Sequence, residues 1–221
     1  MIIIIFDKFF SILGLIILMP LFILVIPILK FTGEGEIFFF QDRAGLNRKN
    51  FKLIKFATML KNSPASGTVT LKNDPRILPF GNFLRFLKIN ELPQLFNVLK
   101  GDLSLVGPRP QVDKSLDDLP KELRNKLSMI KPGLSGLASV ILRDEEKVLS
   151  KVENPVEFHR TVLTPFKANL EIWFNDRRSL KNYFVLIFLT IFAIIFPRFK
   201  LYNSFFKSRP IGPKVLEQIL S

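Results

Sequence analysis

The sequence predicts a mixed α/β protein that is inserted in a membrane, and three observations lead to this expectation. Residues Phe9 to Leu29 carry no charge, the middle of the chain alternates short strand-like and helix-like patterns, and Tyr183 to Phe196 is again apolar. We therefore divide the chain into a membrane-inserted helix at 1–32, a small domain of short strands and helices at 33–182, and an interfacial hydrophobic helix with its tail at 183–221.

Composition narrows the chemistry that the chain can perform. Hydrophobic residues make up 48% of the chain and include 24 Phe, so we expect part of the surface to face lipid. The chain has no cysteine and one histidine, His159, which excludes thiolate nucleophiles and argues against a Ser-His-Asp triad. The net charge of +13 indicates an anionic partner. Nucleic acid, anionic lipid and the phosphates of a nucleotide or lipid all satisfy that requirement.

The N-terminal segment is long enough to cross a bilayer. As a helix, the uncharged run from Phe9 to Leu29 has a length of about 31 Å. The alternative of a cleaved signal peptide is weaker, because no small-residue cleavage site follows the run. Pro20 removes one helix hydrogen bond and is expected to kink or break the helix. A broken helix can turn back to the same membrane face, so we expect a re-entrant anchor, and a full span stays open as the alternative.

The second apolar run, Tyr183 to Phe196, is short for a span. Cationic residues lie on both sides of it, which favours a helix at the membrane interface, although a buried core helix is the alternative. Beyond it we expect a loose tail with a short helix at Val215 to Leu220.

Two short strands are expected at Ile37 to Gln41 and Phe51 to Phe56, around a turn containing Gly45 and Asn47. Lys55, in the second strand, is a candidate phosphate ligand or a solvated strand-edge lysine. The Ser-, Gly- and Thr-rich segment from Asn62 to Lys72 is expected to be a surface loop.

A short amphipathic helix is predicted after Pro79, with Phe80, Phe83, Leu84 and Leu87 on its apolar stripe. Arg85 lies beside that stripe, where it can face a cleft or solvent.

A second helix is predicted from Glu91 to Lys100, with Asn90 as its N-cap and Gly101 at its end. The amides at the start of such a helix can bind a phosphate, and the alternative is a capped helix whose first turn contains a favourable acid. Further along, Pro108 and Pro110 restrict the backbone of Arg109, so that its guanidinium loses less entropy when it binds a diphosphate.

The segment from Lys131 to Ser139 places Gly133 and Gly136 around a hydroxyl, which suits close approach to a ligand or an ordinary turn. Arg143 follows as a candidate phosphate ligand. We expect the acids at 144–146 to form a solvated helix start.

Together these motifs resemble the bacterial sugar transferase family, the monotopic phosphoglycosyl transferases, over about residues 6 to 200. The resemblance is carried by Asn90-Glu91-Leu92-Pro93-Gln94 with Gly107-Pro108-Arg109-Pro110, by Asp74-Pro75-Arg76 and by Lys131-Pro132-Gly133. It implies transfer of a sugar 1-phosphate from a UDP-sugar to polyprenyl phosphate, with release of UMP and help from Mg²⁺. It also implies a catalytic domain on the cytoplasmic face of the bacterial inner membrane that starts a surface glycan, such as exopolysaccharide, capsule or the O-antigen of lipopolysaccharide.

The resemblance also implies roles for individual residues. Glu91 is implied as a metal ligand or acid/base, and five cations are implied to hold phosphates: Lys55, Arg76, Arg85, Arg109 and Arg143. At position 90 the family typically has Asp, a nucleophile that forms a covalent phosphosugar intermediate, whereas the Asn90 amide is neutral and a poor nucleophile. Three routes then stay open: Glu91 becomes the nucleophile, the polyprenyl phosphate attacks directly, or the protein is inactive.

Two other classes of function compete with this interpretation. An inactive, membrane-anchored regulator of a glycan assembly complex would keep the fold without the chemistry, and Asn90 favours that alternative. A nucleic-acid-binding protein would need interleaved aromatic residues on a basic face or a helix-turn-helix pattern, and the sequence contains neither. We therefore expect no nucleic acid among its partners.

Overall fold

The computed structural model describes residues 2–63 and 74–220 and confirms a mixed α/β fold. The strands are β1 (Phe38–Ala44), β2 (Asn50–Phe56), β3 (Ser104–Val106) and β4 (Gly133–Ser135). The helices are α1 (Ile2–Phe31), α2 (Pro79–Phe86), α3 (Gln94–Lys100), α4 (Asp113–Asp117), α5 (Lys121–Ser128), α6 (Leu137–Ile141), α7 (Glu145–Leu149), α8 (Pro155–Phe158), α9 (Thr164–Asp176), α10 (Leu180–Ile195), α11 (Tyr202–Phe205) and α12 (Lys214–Leu220). Most of the surface loop predicted at Asn62 to Lys72 lies outside the described residues.

Helix α1 is the one helix in residues 2–63 and 74–220 that is long and apolar enough to cross a membrane. It continues through Pro20 and Pro27, so the chain does not leave the helix at the position where a break was expected. Its buried residues lie on one stripe that follows the helical period: Asp7, Ser11, Phe22, Val25 and Leu29. Most of the remaining surface of α1 is apolar and exposed.

The buried stripe of α1 contacts the central domain along most of the length of the helix. Asp7 is hydrogen-bonded to β3, Gly14 lies against Leu95 of α3, and the ring of Phe22 lies 5.2 Å from that of Phe56 in β2. Both halves of α1 are therefore docked on the same domain.

The predicted hairpin is confirmed, with β1 antiparallel to β2 in a register that places Phe38 opposite Phe56 and Arg43 opposite Phe51. The turn contains Asn47 and Arg48, whose φ angles of 54° and 61° are left-handed. Asparagine adopts this conformation more readily than most residues.

Strands β3 and β4 pair in parallel, with Ser104 opposite Gly133 and Val106 opposite Ser135. The glycines after Lys131, which were predicted to line a turn or approach a ligand, instead approach the protein's own backbone. A Cβ atom at Gly133 would lie 2.1 Å from the nitrogen of Gly107, so only glycine allows this contact. The pairing fixes the chain immediately before Arg109.

The largest core cluster joins α6, α7, α9 and α10 around fully buried residues such as Leu137, Leu163 and Leu186. Helix α10 places Tyr183, Leu186 and Leu189 in this core, while its opposite face is exposed and apolar: Phe184, Phe188, Ile191 and Ile195. The core-helix alternative therefore holds for one face of this helix, and its place at the membrane interface stays a prediction. The short helix predicted in the tail is confirmed as α12.

Candidate active site

The centre of the candidate site is a two-pronged ion pair between Glu91 and Arg109. The two guanidinium nitrogens Nη1 and Nη2 donate to the two carboxylate oxygens at 2.9 and 2.5 Å. The side chains are 17% and 43% exposed, so a ligand can reach the pair from solvent. Such a guanidinium–carboxylate fork has the geometry with which arginine also binds phosphate.

The backbone that presents Glu91 differs from the one expected. Helix α2 is followed by Lys88 in a left-handed conformation and by a 3₁₀ turn at Ile89–Glu91, and α3 begins only at Gln94. The prediction that Asn90 caps a helix starting at Glu91 was therefore wrong. The predicted end of the helix is confirmed, since Gly101 follows Lys100 with φ of 97°.

Asn90 is buried rather than presented to solvent. Its residue surface is 6% exposed, and its side-chain Oδ1 has no hydrogen-bond partner within the described residues. Gln94, one helical turn away, is 1% exposed and its Nε2 is likewise unpartnered there. An unsatisfied buried polar group costs about 1–3 kcal/mol. A ligand that formed hydrogen bonds to these two amides beside Glu91 would recover that cost.

The hairpin contributes two cations on the face that carries Gln41. Lys55 lies opposite Phe39, and Arg43 lies opposite Phe51. Burial lowers the pKa of Lys55 to about 7, with a further lowering by Arg109 and Arg43. Burial also lowers the pKa of Arg43 to about 10. Arg43 donates to the Gln41 side chain and to the Pro110 carbonyl, which connects β1 to the Arg109 loop.

Positive charge outweighs negative charge around Glu91. Burial alone would raise the pKa of Glu91, but Arg109, Lys55 and Lys88 outweigh it, so the pKa of this carboxyl lies far below its usual range. Glu91 in turn raises the pKa of Arg109. One carboxylate thus faces several cations, and the excess positive charge is suited to polyanions.

Arg85 and Arg143 lie near this cluster in different environments. Arg85 forms an ion pair with Glu146 at 3.1 Å and lies 3.7 Å from the sulfur of Met59. The Nε of Arg143 is buried with no partner among residues 2–63 and 74–220, and its nearest acid is Asp144 at 3.6 Å. Arg85 is thus held by an acid that a phosphate could replace, and Arg143 has a buried Nε with unused hydrogen-bonding capacity.

The acids at 144–146 lie at the start of α7, as expected, and Glu146 is exposed, but Glu145 is held by neighbouring side chains. Glu145 accepts from Lys167 at 2.6 Å and lies 3.2 Å from His159 Nε2. Burial would raise the pKa of Glu145, but His159 and Lys167 lower it to about 2. The negative charge of Glu145 also raises the pKa of Arg109.

Arg76 lies in a separate ion pair. It donates to both oxygens of Asp74, at 2.6 Å for the shortest contact, and to the carbonyl of Ser63. The role of Arg76 in phosphate binding stays a prediction.

Two cations of the site, Arg43 and Lys88, were missed from the sequence. Arg43 could have been found from the strand pattern, because it lies two residues after Gln41 and so on the same face of the strand. Lys88 gave no signal, because its left-handed backbone is apparent only in three dimensions.

The chain offers few donors for Mg²⁺. Among residues 2–63 and 74–220 no cluster of three or more His, Asp or Glu is placed to hold a metal. The orphaned amide of Asn90 and one oxygen of Glu91, if released from Arg109, provide two oxygen ligands. Mg²⁺ commonly takes one or two protein ligands and the rest from water and substrate phosphates, so this donor set fits a cation that arrives with a diphosphate.

The bacterial sugar transferase family model matches residues 1–197. The chain belongs to this family. It is 37% identical over 163 residues to the exopolysaccharide production protein ExoY of Sinorhizobium fredii, a match that covers 66% of this chain and 72% of the relative.

Longer relatives match as well. The UDP-glucose:undecaprenyl-phosphate glucose-1-phosphate transferase of Xanthomonas campestris is 37% identical over 171 residues, which is 75% of this chain and 35% of the relative. The UDP-N-acetylgalactosamine-undecaprenyl-phosphate N-acetylgalactosaminephosphotransferase of Aeromonas hydrophila is 37% identical over 125 residues, 55% of this chain and 30% of the relative. The chain thus spans about a third of the length of these two enzymes.

Proposed function

We propose that this protein transfers a sugar 1-phosphate from a UDP-sugar to polyprenyl (undecaprenyl) phosphate and releases UMP, as the first step of a surface glycan. The observation that carries this proposal is the accessible Glu91–Arg109 pair, which lies among more cations than acids. Two phosphate-bearing substrates repel one another, and a site with excess positive charge lowers that repulsion. The names of the relatives support the same reaction class.

The chemistry that fits this site best is direct attack by the polyprenyl phosphate. An oxygen of the lipid phosphate attacks the phosphorus that carries the sugar, and the bond from that phosphorus to the bridging oxygen breaks. UMP leaves with the bridging oxygen, and the sugar diphosphate stays on the lipid. Direct attack needs no protein nucleophile, which matters because Asn90 is a buried amide and both oxygens of Glu91 are bonded to Arg109.

In this mechanism the chain's own residues bind and orient. Arg109, Lys55 and Arg43 hold the diphosphate, while Arg85 and Arg143 reach its outer oxygens. Glu91 keeps Arg109 oriented, and with one oxygen released it would hold Mg²⁺ together with Asn90. The bound Mg²⁺ would supply charge neutralisation for the diphosphate.

Turnover is the decisive test of this function. The purified protein in detergent is incubated with undecaprenyl phosphate, Mg²⁺ and a panel of UDP-sugars that includes UDP-glucose and UDP-N-acetylgalactosamine, and UMP release is measured. We expect lipid-dependent UMP release with at least one donor. Absence of turnover over a broad panel would favour the inactive-regulator alternative.

Substitution at position 90 tests the route of transfer. Asn90→Asp is expected to preserve or raise activity, since it restores the family's usual carboxylate, and Asn90→Ala is expected to weaken it. A phosphosugar adduct on the protein, detected by mass spectrometry after mixing with the UDP-sugar alone, is expected only in Asn90→Asp. An adduct on the unchanged protein would show that Glu91 or another residue is the nucleophile.

We also propose that both ends of α1 lie on the cytoplasmic face of the bacterial inner membrane. The docking of Asp7 on β3 and of Phe22 on β2 supports this arrangement, since one domain on one side of a bilayer cannot accompany a spanning helix along its whole length. The outward residues of α1 and the exposed face of α10 are suited to contact acyl chains.

Topology can be measured because the chain has no native cysteine. Lys8→Cys and Glu34→Cys replace exposed residues near the two ends of α1. In intact cells we expect neither cysteine to react with a membrane-impermeant maleimide, and both to react after permeabilisation. Labelling of Lys8→Cys alone from outside would establish a full span.

A further inference from the structure

Lys88 has a backbone conformation that its residue type disfavours. Its φ and ψ of 58° and 15° are left-handed, which costs a non-glycine residue about 1 kcal/mol. The turn connects α2 to the 3₁₀ segment, and the carbonyl of Lys88 accepts from the Glu91 amide at 3.1 Å. Backbone strain of this kind often occurs at functional sites, and here it lies next to the candidate catalytic segment, which makes the Lys88 side chain a candidate for a functional role.

The side chain of Lys88 is available to a ligand. It is exposed, and within the described residues it forms no ion pair or hydrogen bond. The side chain nevertheless lies near packed protein and other charges. Burial lowers the pKa of Lys88. The positive charges of Arg109 and Arg143 lower this pKa further, whereas the negative charge of Glu91 raises it. Lys88 is thus a cation at the mouth of the site whose charge is not neutralised by a bound acid.

Exposed apolar side chains surround this mouth. On α2, Phe83 and Phe86 are 53% and 71% exposed, and Leu87 precedes Lys88 directly. The exposed ring of Phe96 on α3 lies 6.4 Å from Phe22 of α1, which connects this surface to the apolar helix α1. A cation at the border of an apolar surface that adjoins α1 matches a ligand with an anionic head and a hydrocarbon tail.

We propose that Lys88 binds the phosphate of the polyprenyl acceptor and that the exposed residues Phe83, Phe86 and Leu87 contact the first isoprene units. This inference rests on the proposed function and assigns a specific residue to one of the two substrates. An ordinary anionic phospholipid shares the same chemistry, but Lys88 lies only three residues before Glu91 in a turn closed by the Glu91 amide and the Lys88 carbonyl, so its side chain starts beside the candidate catalytic segment. Lys55 and Arg43, which lie on the hairpin, are then left for the nucleotide diphosphate.

The test compares Lys88→Gly with the unchanged protein. Glycine fits the left-handed turn, so this variant should fold, and Lys88→Ala serves as a second variant with a side chain. Lys121→Ala, at an exposed lysine of α5, is the matched control. We expect the KM for undecaprenyl phosphate to rise about tenfold in Lys88→Gly and Lys88→Ala, with the KM for the UDP-sugar changed less than about twofold. An unchanged lipid KM in both variants, or an equal rise in both KM values, would overturn the proposal.

A binding measurement separates this proposal from the proposed function. Farnesyl phosphate and farnesol are titrated in detergent micelles by calorimetry, which requires no turnover. We expect the unchanged protein to prefer farnesyl phosphate, and the Lys88 variants to lose that preference even if no UDP-sugar is turned over. Flotation with phosphatidylcholine vesicles containing phosphatidylglycerol should be equal for all proteins. A loss of flotation in the Lys88 variants with unchanged farnesyl phosphate binding would assign Lys88 to general membrane attachment and overturn the proposal.

Discussion

Asp7 and Glu91 are two carboxylates that contact opposite ends of the same stretch of chain, and their partners differ in kind. Asp7 accepts from the Ser104 hydroxyl, the Leu105 amide and the Tyr183 hydroxyl at 2.8, 2.9 and 2.8 Å. Glu91 is bonded to Arg109, a few residues beyond β3, and lies among further cations.

Under the proposed function, the difference separates a structural acid, Asp7, from a functional one, Glu91. Three neutral donors satisfy Asp7 inside the protein at 3% exposure, so a ligand has no access to it. The Glu91–Arg109 pair can be exchanged, because an incoming phosphate can replace the carboxylate on the same guanidinium. Changes at Glu91 should therefore alter activity, and changes at Asp7 should alter stability.

The largest expected effect is that of Glu91→Gln. The change removes the negative charge while nearly preserving shape, and we expect transfer to fall by about 1000-fold or more with little change in melting temperature. UMP release and thermal unfolding measure the two quantities. Glu122→Gln, at an exposed acid paired with Lys126, is the control that should leave both unchanged. Full activity of Glu91→Gln together with Asn90→Ala would refute the site.

Asp7→Ala should lower stability and leave activity nearly unchanged, the opposite of Glu91→Gln. It leaves three donors without an acceptor, two of them on the buried residues Ser104 and Tyr183, and we expect about 3 kcal/mol of stability to be lost. Activity per folded molecule should change by less than about threefold. Thermal unfolding in detergent checks the first expectation, with Lys8→Ala as the neighbouring exposed control. A stable Asp7→Ala protein with lost turnover would place Asp7 in the functional site instead.

Arg109→Lys tests whether the fork itself matters. Lysine keeps the charge but cannot donate two parallel hydrogen bonds, so we expect turnover to fall by about 100-fold while the fold persists. Arg124→Lys, at an arginine that pairs with Asp117, is the matched control. Equal turnover of Arg109→Lys and the unchanged protein would contradict bidentate binding of the diphosphate.

The smallest effect concerns Lys55 and pH. Because its pKa is about 7 in the folded protein and 10.5 ordinarily, Lys55 loses its proton in the folded state as pH rises through 7, while the unfolded chain keeps it to about pH 10.5. The contribution of Lys55 to the free energy of unfolding should thus increase from pH 7 to 10.5. The affinity for UDP-glucose should fall over the same range, by at most about tenfold per pH unit, because the neutral amine no longer attracts the phosphates. Calorimetric titration between pH 6 and 8.5 measures the affinity.

Lys55→Arg keeps its charge over this range, so the fall in affinity should disappear in that variant. A fall of the same size in Lys55→Arg would assign the titration to another group.

Local patterns accounted for the elements that depend on neighbouring residues. The hairpin, α2, the end of α3 at Gly101, α10 and α12 follow from alternation, helical periodicity and glycine, all of which act within a few residues. The motifs around Glu91 and Arg109 also identified the family and both partners of the central ion pair.

On α2 the predicted stripe was only partly buried. Leu84 is fully buried, whereas Phe83 and Leu87 are exposed, because periodicity marks an apolar face without stating whether protein or lipid covers it.

What the sequence determined by itself is therefore the elements that follow a short-range pattern, the family, and the two residues of the central ion pair. Only the tertiary structure decided where distant polar groups meet. Tyr183 is 176 residues from Asp7 in the chain, and Arg43 reaches Pro110 across 67 residues. The 3₁₀ turn that buries Asn90 likewise depends on packing among α1, α2 and the hairpin, since Ile89 packs against that cluster. Such contacts depend on how the elements pack, which no local pattern of residues encodes.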